Sequence, residues 1–552
     1  MTKEYTHIID KIEDWPINQF SEARPAFIQD LNKYTYDRIM ETHGDNLETL
    51  LSKVIYQEKQ RIKINPWKVD PADETLYWQK LESIAKKAAL SDNRDERYKQ
   101  LLKRIINRYS EEIVGNFNPK TFRFARKFLT ALFKRIYMKS FTRKLRIWGT
   151  KDDLLKKIHI SGEIDRLRSL YTKGTVVMVP MHFSNLDSIL LGYMLDMKAG
   201  IPASAFGAGL NLFNIEVAAY YINRLGAYKV DRRKKNPIYL ENLKSYTSLS
   251  LVKGAPNIFF PGGTRSRSGH MEENLKLGLL SSVIDGQRYC IKNNLDKKIF
   301  VIPIILGYHF TLEASGLINQ YLKSVGREKY SSAKSKRGKI ASAFKFVWRL
   351  TRKESEVFLN IGEPMDVIGN EVDSEGNSLD NLGNILEVKE FFQNQGESNK
   401  DLQREAVYTR LLADKITEAF KKENVVLSSH LVAYVGFKIL ERYYEELDIF
   451  GILKQPVSDF KVPKADFIKS LDTIIAKLRQ MESLGMLRLS PIFDASTEEI
   501  FMDGVNNVGV FHLNKVLRAE KEVVTSDDFR LLYYYHNRLD AYGLDKELGL
   551  KK

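Results

Sequence analysis

One cysteine, Cys290, in 552 residues excludes a disulfide framework and any cysteine-rich metal centre. No apolar run is long and clean enough to span a bilayer. The best stretch, Thr175 to Met197, is interrupted by His182, Asn185 and Asp187, which are costly to place in hydrocarbon. The opening MTKEYTHIIDKIEDWP carries acids and lacks an apolar core, so no signal peptide and no secretion are expected. No clustered His/Cys/Asp spacing suits a metal ion, and no cofactor is expected. Gly207-Ala-Gly209 lacks the third glycine of a dinucleotide fingerprint. No internal repeat is evident, and no RNA-binding module signature accompanies the basic charge, which argues against a nucleic-acid partner.

What is present is an ordinary globular balance, 43% hydrophobic and 28% charged residues, with a net charge of +16 that favours anionic partners. A chain of this length is expected to divide into two or three domains. Residues 1–155 read as helices with apolar residues at three- and four-residue spacing, broken near Asn93, the last helix starting after Asn118-Pro119. Across 156–365 short β-rich runs alternate with helical segments: TVVMVP at 175–180, NIFFP at 257–261, IFVIPII at 299–305 and EVFLNIG at 356–362. That alternation predicts an α/β domain with a mostly parallel, buried sheet and flanking helices. Residues 366–400 are polar and rich in Gly and Asn and read as a surface loop or linker; helical patterning returns over 401–552.

Three blocks carry candidate chemistry. In His182-Phe-Ser-Asn-Leu-Asp187 a buried strand gives way to a helix start near Asn185, the place where α/β domains bind ligands. A neutral imidazole there can take a proton from an attacking hydroxyl, with Asp187 orienting it, although the spacing alone also suits a capping box of polar residues. In Phe260-Pro-Gly-Gly-Thr-Arg-Ser-Arg-Ser-Gly269, Gly263 lets the backbone approach an anion, Thr264 and Ser266 offer hydroxyls, and Arg265 and Arg267 supply forked donors. The strand-like AYKV at 227–230 precedes the basic run Arg232-Arg-Lys-Lys235, in which Arg232 or Arg233 could add a second grip or simply form a charged corner.

In this order the blocks, with Val301-Ile-Pro-Ile-Ile-Leu-Gly-Tyr308 as a fourth, resemble the motifs of the glycerol-3-phosphate acyltransferase family. Gly209-Leu-Asn-Leu, Arg224-Leu-Gly-Ala, Gly307-Tyr with Glu313, and Gly362-Glu-Pro364 are similar to its bacterial membrane-associated 1-acyltransferases. The resemblance implies a glycerolipid acyltransferase fold with His182 as base and Asp187 as its partner. It further implies a glycerol-phosphate site built from Arg232, Arg265 and Arg267 with Gly263, Thr264, Ser266 and Lys276, and an acyl-donor side at Val301 and Pro303. The implied substrates are glycerol-3-phosphate and acyl-CoA or acyl carrier protein, and the implied place is the cytoplasmic face of a bacterial inner membrane.

Two positions depart from the pattern. Gly262 stands where the family has a glutamate, which puts the acceptor's identity in doubt and leaves lysophosphatidate, dihydroxyacetone phosphate or a catalytically silent homologue as alternatives. Asp231 stands where the close subfamily has a basic or neutral residue. Direct transfer from thioester to hydroxyl is expected, Cys290 having no base beside it, and backbone amides near Asn185 are candidates for an oxyanion site. Between Lys120 and Arg146 there are ten basic residues and no acid, interleaved with Phe124, Phe128 and Phe133. That is the composition of an interfacial helix that contacts an anionic membrane surface, or of a helix whose apolar side packs on the catalytic domain.

Overall fold

The computed structural model describes residues 5–138, 149–214, 216–326, 355–393 and 402–548. At its centre is a seven-stranded sheet built from β1 (Ile158–Gly162), β2 (Thr175–Pro180), β3 (Ala205–Gly209), β4 (Ala227–Val230), β5 (Asn257–Ile258), β6 (Ile299–Tyr308) and β7 (Val357–Ile361). Their order is β1-β7-β6-β2-β5-β3-β4. Strands β6, β2, β5, β3 and β4 are mutually parallel, and β7 joins antiparallel to β6 while pairing parallel with β1. Every residue of β2 and β6 is buried, which is why both read as unbroken apolar runs rather than as alternating ones.

Two strands escape sequence reading. The half-exposed β1 is only five residues long, and β3, AFGAG, has none of the β-branched residues that mark a strand. Only two residues of the NIFFP run pair as a strand, because Pro261 has no N–H to continue the ladder and the chain turns there into the glycine-rich loop.

Helices Arg24–His43, Leu47–Ile64, Glu74–Ala89 and Arg94–Ile113 form an N-terminal bundle, with Asn93 at the break between the last two. Its core is shared with helix Pro237–Val252, which is buried on nearly all sides between the bundle and the sheet domain and therefore carries no polar face. A second helical cluster, including Ser428–Tyr443, Lys464–Ser483 and Phe529–Asp540, encloses a core of its own that also takes in Leu317, Ile318 and Leu322.

The stretch 366–393 is folded, which corrects its reading as a loop, and it contains a repeat that the sequence reading missed. Three seven-residue units, DVIGNEV at 366–372, DSEGNSL at 373–379 and DNLGNIL at 380–386, each turn the chain once. They yield β8 (Glu371–Val372), β9 (Ser378–Leu379) and β10 (Ile385–Leu386), an antiparallel three-stranded sheet. In each unit the Asp side chain accepts backbone amides, among them that of the Asn four residues on, whose side chain donates back to it. Gly369, Gly376 and Gly383 take the left-handed conformation, at φ of 101°, 82° and 84°. Polarity made this segment look like a linker, but its polar side chains are consumed in turn geometry.

Candidate active site

His182 follows the end of β2, and helix Asp187–Met194 begins five residues on. Its imidazole Nδ1 lies 2.9 Å from Asp187 Oδ2. Asp187 is fully buried and heavily bonded: Oδ2 also accepts the amides of Phe183 at 2.6 Å and Ser184 at 2.8 Å, and Oδ1 accepts the Tyr308 hydroxyl. Burial and then the Asp187 charge hold the Tyr308 phenol well above its ordinary pKa, so it stays a donor. A carboxylate at Nδ1 fixes the ring so that Nε2, which makes no hydrogen bond among the described residues, keeps its lone pair for a substrate proton. The Phe260 ring stacks on the imidazole with centroids 4.1 Å apart.

The glycine-rich loop is attached to this pair. Ser266 N donates to His182 O at 2.7 Å, and Lys276 N closes the loop by donating to Pro261 O at 2.7 Å. Gly263 supplies the tight turn, at φ 74°. Ser266 Oγ donates to His270 O and accepts from Gly269 N, so it shapes the loop instead of remaining free for a ligand. Thr264, Arg267 and Lys276 are exposed and make no side-chain hydrogen bond or ion pair among the described residues.

Arg265 reaches Glu313 Oε1 at 3.2 Å. Desolvation, and next the neighbouring Arg265, pull Arg232 below the usual guanidinium range, and Arg232 makes no ion pair among the described residues. Arg233 is held by Asp231, Asp70 and the Asn65 carbonyl and lies over the Trp67 ring, which makes it a structural tie. Asp231, off the family pattern, is its buried partner.

Two expectations are corrected. The amides after His182 are not open for an oxyanion: Asp187 takes those of Phe183 and Ser184, and Glu313 takes that of Asn185 at 3.0 Å together with the Ser184 hydroxyl at 2.8 Å. Val301 and Pro303 lie in mid-sheet beside β2, paired with Val177 and Val179 and buried, and neither is among the walls of the cavity described below.

Sequence reading also left four residues without a role. Tyr308 ends the β6 run and reaches Asp187, and Glu313 lies five residues beyond it. Arg538 comes from the C-terminal helix Phe529–Asp540; it donates to Leu306 O and Asn424 Oδ1 and covers the Phe183 ring at 4.1 Å. Glu272, ten residues after Gly262, accepts the His182 amide at 3.3 Å. Tyr308 and Glu313 carried a signal, as the Gly307-Tyr with Glu313 match of the family resemblance; Glu272 and Arg538 depend on long-range folding.

A cavity of about 450 Å³ adjoins the site. Its walls include Ile39 and Leu50 of the N-terminal bundle, Leu243, and Phe259 and Phe260, with Lys276 among its few charged members. Phe260 therefore has contact with both the cavity and the imidazole.

Residues 161–307 match the family model described as Acyltransferase. The chain is 27% identical over 263 residues to a glycerol-3-phosphate acyltransferase of Pseudomonas putida (strain W619), and 29% identical over 259 residues to one of Pseudomonas fluorescens (strain SBW25). The first match covers 48% of this chain and 28% of the relative, the second 47% and 27%, so the aligned part is little more than a quarter of those proteins. Among solved structures, the 1-acyl-sn-glycerophosphate (LPA) acyltransferase from Thermotoga maritima aligns with 59% of this chain and 89% of its own, at 16% identity and a TM-score of 0.23.

Proposed function

From the acyltransferase-family domain that this chain carries at residues 161–307, we propose that the protein moves a fatty acyl group from acyl-CoA or acyl carrier protein to the sn-1 hydroxyl of glycerol-3-phosphate. The observation that carries this reading is the His182–Asp187 pair at the end of β2, tied by Ser266 N to a loop bearing Arg265 and Arg267. In the proposed reaction His182 Nε2 removes the acceptor's hydroxyl proton, and the oxygen attacks the thioester carbonyl carbon. The tetrahedral intermediate collapses as the C–S bond breaks, and the departing thiolate takes the proton from the imidazolium. Asp187 keeps the ring oriented and stabilises its charged form. Arg232, Arg265 and Arg267 would hold the acceptor phosphate, with Arg265 positioned by Glu313.

The acyl chain is assigned to the apolar cavity behind Phe260, whose volume falls in the range of small-molecule sites. Helix Pro119–Tyr137 is assigned to an anionic membrane surface. It buries Ala125, Phe133 and Ile136 against the protein while Phe124 and Phe128 are 53% and 56% exposed. Packing and an outward apolar edge thus coexist on one helix; Lys139 and Arg143 to Arg146 lie outside the described residues. No helix among the described residues is long and apolar enough to cross a membrane.

The test is thiol release from palmitoyl-CoA with glycerol-3-phosphate, dihydroxyacetone phosphate or lysophosphatidate offered singly. Release that depends on glycerol-3-phosphate supports the reading, and release with only one of the others reassigns the acceptor. No acceptor-dependent release with any of them, from palmitoyl-CoA or from palmitoyl carrier protein offered in its place, overturns it.

A further inference from the structure

Gly262 occupies a position where any side chain would meet another one. A Cβ built there would fall within 2.5 Å of Glu272 Oε2 and closer still to the rest of that carboxyl group. The approach is not incidental to a mobile surface acid. Glu272 follows the buried Met271, in a segment held at both ends: Ser266 N bonds His182 O, and Lys276 N bonds Pro261 O. The same segment is pinned to the C-terminal helix, where Asn537 Nδ2 donates to Ser268 O at 2.7 Å and Gly269 packs against the Tyr534 carbonyl. The Glu272 carboxyl accepts the His182 amide at 3.3 Å and lies directly against Gly262. It therefore joins the histidine turn to the glycine-rich loop at the point where the two motifs meet.

We infer that Glu272 is a positioning residue of this site, setting His182 against the Pro261-Gly262-Gly263 turn, and that position 262 is glycine because the Glu272 carboxyl fills the space of its side chain. The carboxyl absent from position 262 is thus delivered from ten residues downstream. Among the described residues its Oε2 has no hydrogen-bond partner, and burial, with Asp187 nearby, pushes its pKa up to about 8. At neutral pH it is mostly a neutral carboxylic acid, an acceptor for the His182 amide that adds little charge beside Asp187.

The inference rests on His182 acting as base, and the variants are chosen to separate the two. Gly262 has no left-handed φ, so Gly262→Ala introduces a methyl group without backbone strain and displaces the carboxyl. In steady-state acyl transfer, Gly262→Ala and Glu272→Ala are each expected to lower kcat by roughly ten- to a hundredfold, with KM for palmitoyl-CoA unchanged, as for a small misplacement of a reacting group. Glu272→Gln keeps an amide-accepting oxygen and retains most activity. The double variant Gly262→Ala/Glu272→Ala loses no more than the worse single, since both remove one contact. Gly262→Ala/Glu272→Asp recovers part of the loss, because the shorter acid withdraws from the new methyl. Singles within twofold of wild type, or losses that multiply in the double, overturn the inference. If Glu272→Ala melts below the assay temperature, Gly262→Ala and its rescue by Asp decide the question. Full activity of His182→Ala would instead remove His182 as the base, the reading on which the inference rests.

Discussion

Asp187 shows how a single residue's role can be half visible in sequence. Its five-residue spacing from His182 suggested a partner, but that spacing equally suits a helix cap; the structure makes it the partner and no cap, one oxygen holding the imidazole and two amides of the preceding turn, the other taking the Tyr308 hydroxyl. Glu272 was not legible at all, because it lies in the charged run Glu272-Glu273-Asn274 and becomes a site residue only when the loop folds back. Its raised pKa makes a testable statement about stability. The folded protein keeps a proton through the interval from the ordinary carboxyl value of 4.5 up to about 8, whereas the unfolded chain has released it. Glu272 therefore contributes stability that is fully present below about 4.5 and is lost as pH rises towards about 8. Glu272→Gln, which cannot ionise, should flatten the fall in melting temperature over that interval. An unchanged slope in thermal melts from pH 5 to 8 would show that the carboxyl is not buried as described.

At the scale of elements, the strands with unbroken apolar runs were legible and the short or small-residue strands β1 and β3 were not, since periodicity needs length and side chains to register. The heptapeptide turns of 366–386 were hidden for the opposite reason: their conserved spacing of Asp, Gly and Asn imitates linker composition. Helix Pro119–Tyr137 carries a prediction of its own. Phe128→Glu, at an exposed position, should reduce co-sedimentation with phosphatidylglycerol vesicles severalfold while leaving the melting temperature unchanged. Equal binding by wild type and variant would sink the membrane assignment. The cavity between the N-terminal helices and Phe260 carries another: Leu50→Trp fills its wall and should shift donor preference towards shorter acyl-CoA chains. An unaltered chain-length profile would place the acyl chain elsewhere.

The whole molecule brings together parts that sequence order keeps far apart. Arg538 is the clearest case: burial pulls its guanidinium below the usual range, and it bridges Leu306, Asn424 and the Phe183 ring beside the histidine turn. The helical patterning over 401–552 predicted a helix there, but nothing in it predicted that the helix would cover the site. Arg538→Ala removes two charge-assisted hydrogen bonds from a buried position and should cost about 2–3 kcal/mol of stability, read by urea denaturation, together with most of the activity. A stable, fully active variant would show that the C-terminal region is not needed to shape the site.

The central claim is that His182 moves the proton in acyl transfer. Its most direct test is acceptor-dependent thiol release from palmitoyl-CoA by His182→Ala, measured beside wild type with matched melting temperatures. The predicted result is a rate lower by about 10²- to 10⁴-fold, with acceptor binding retained. A variant that turns over at the wild-type rate would contradict it.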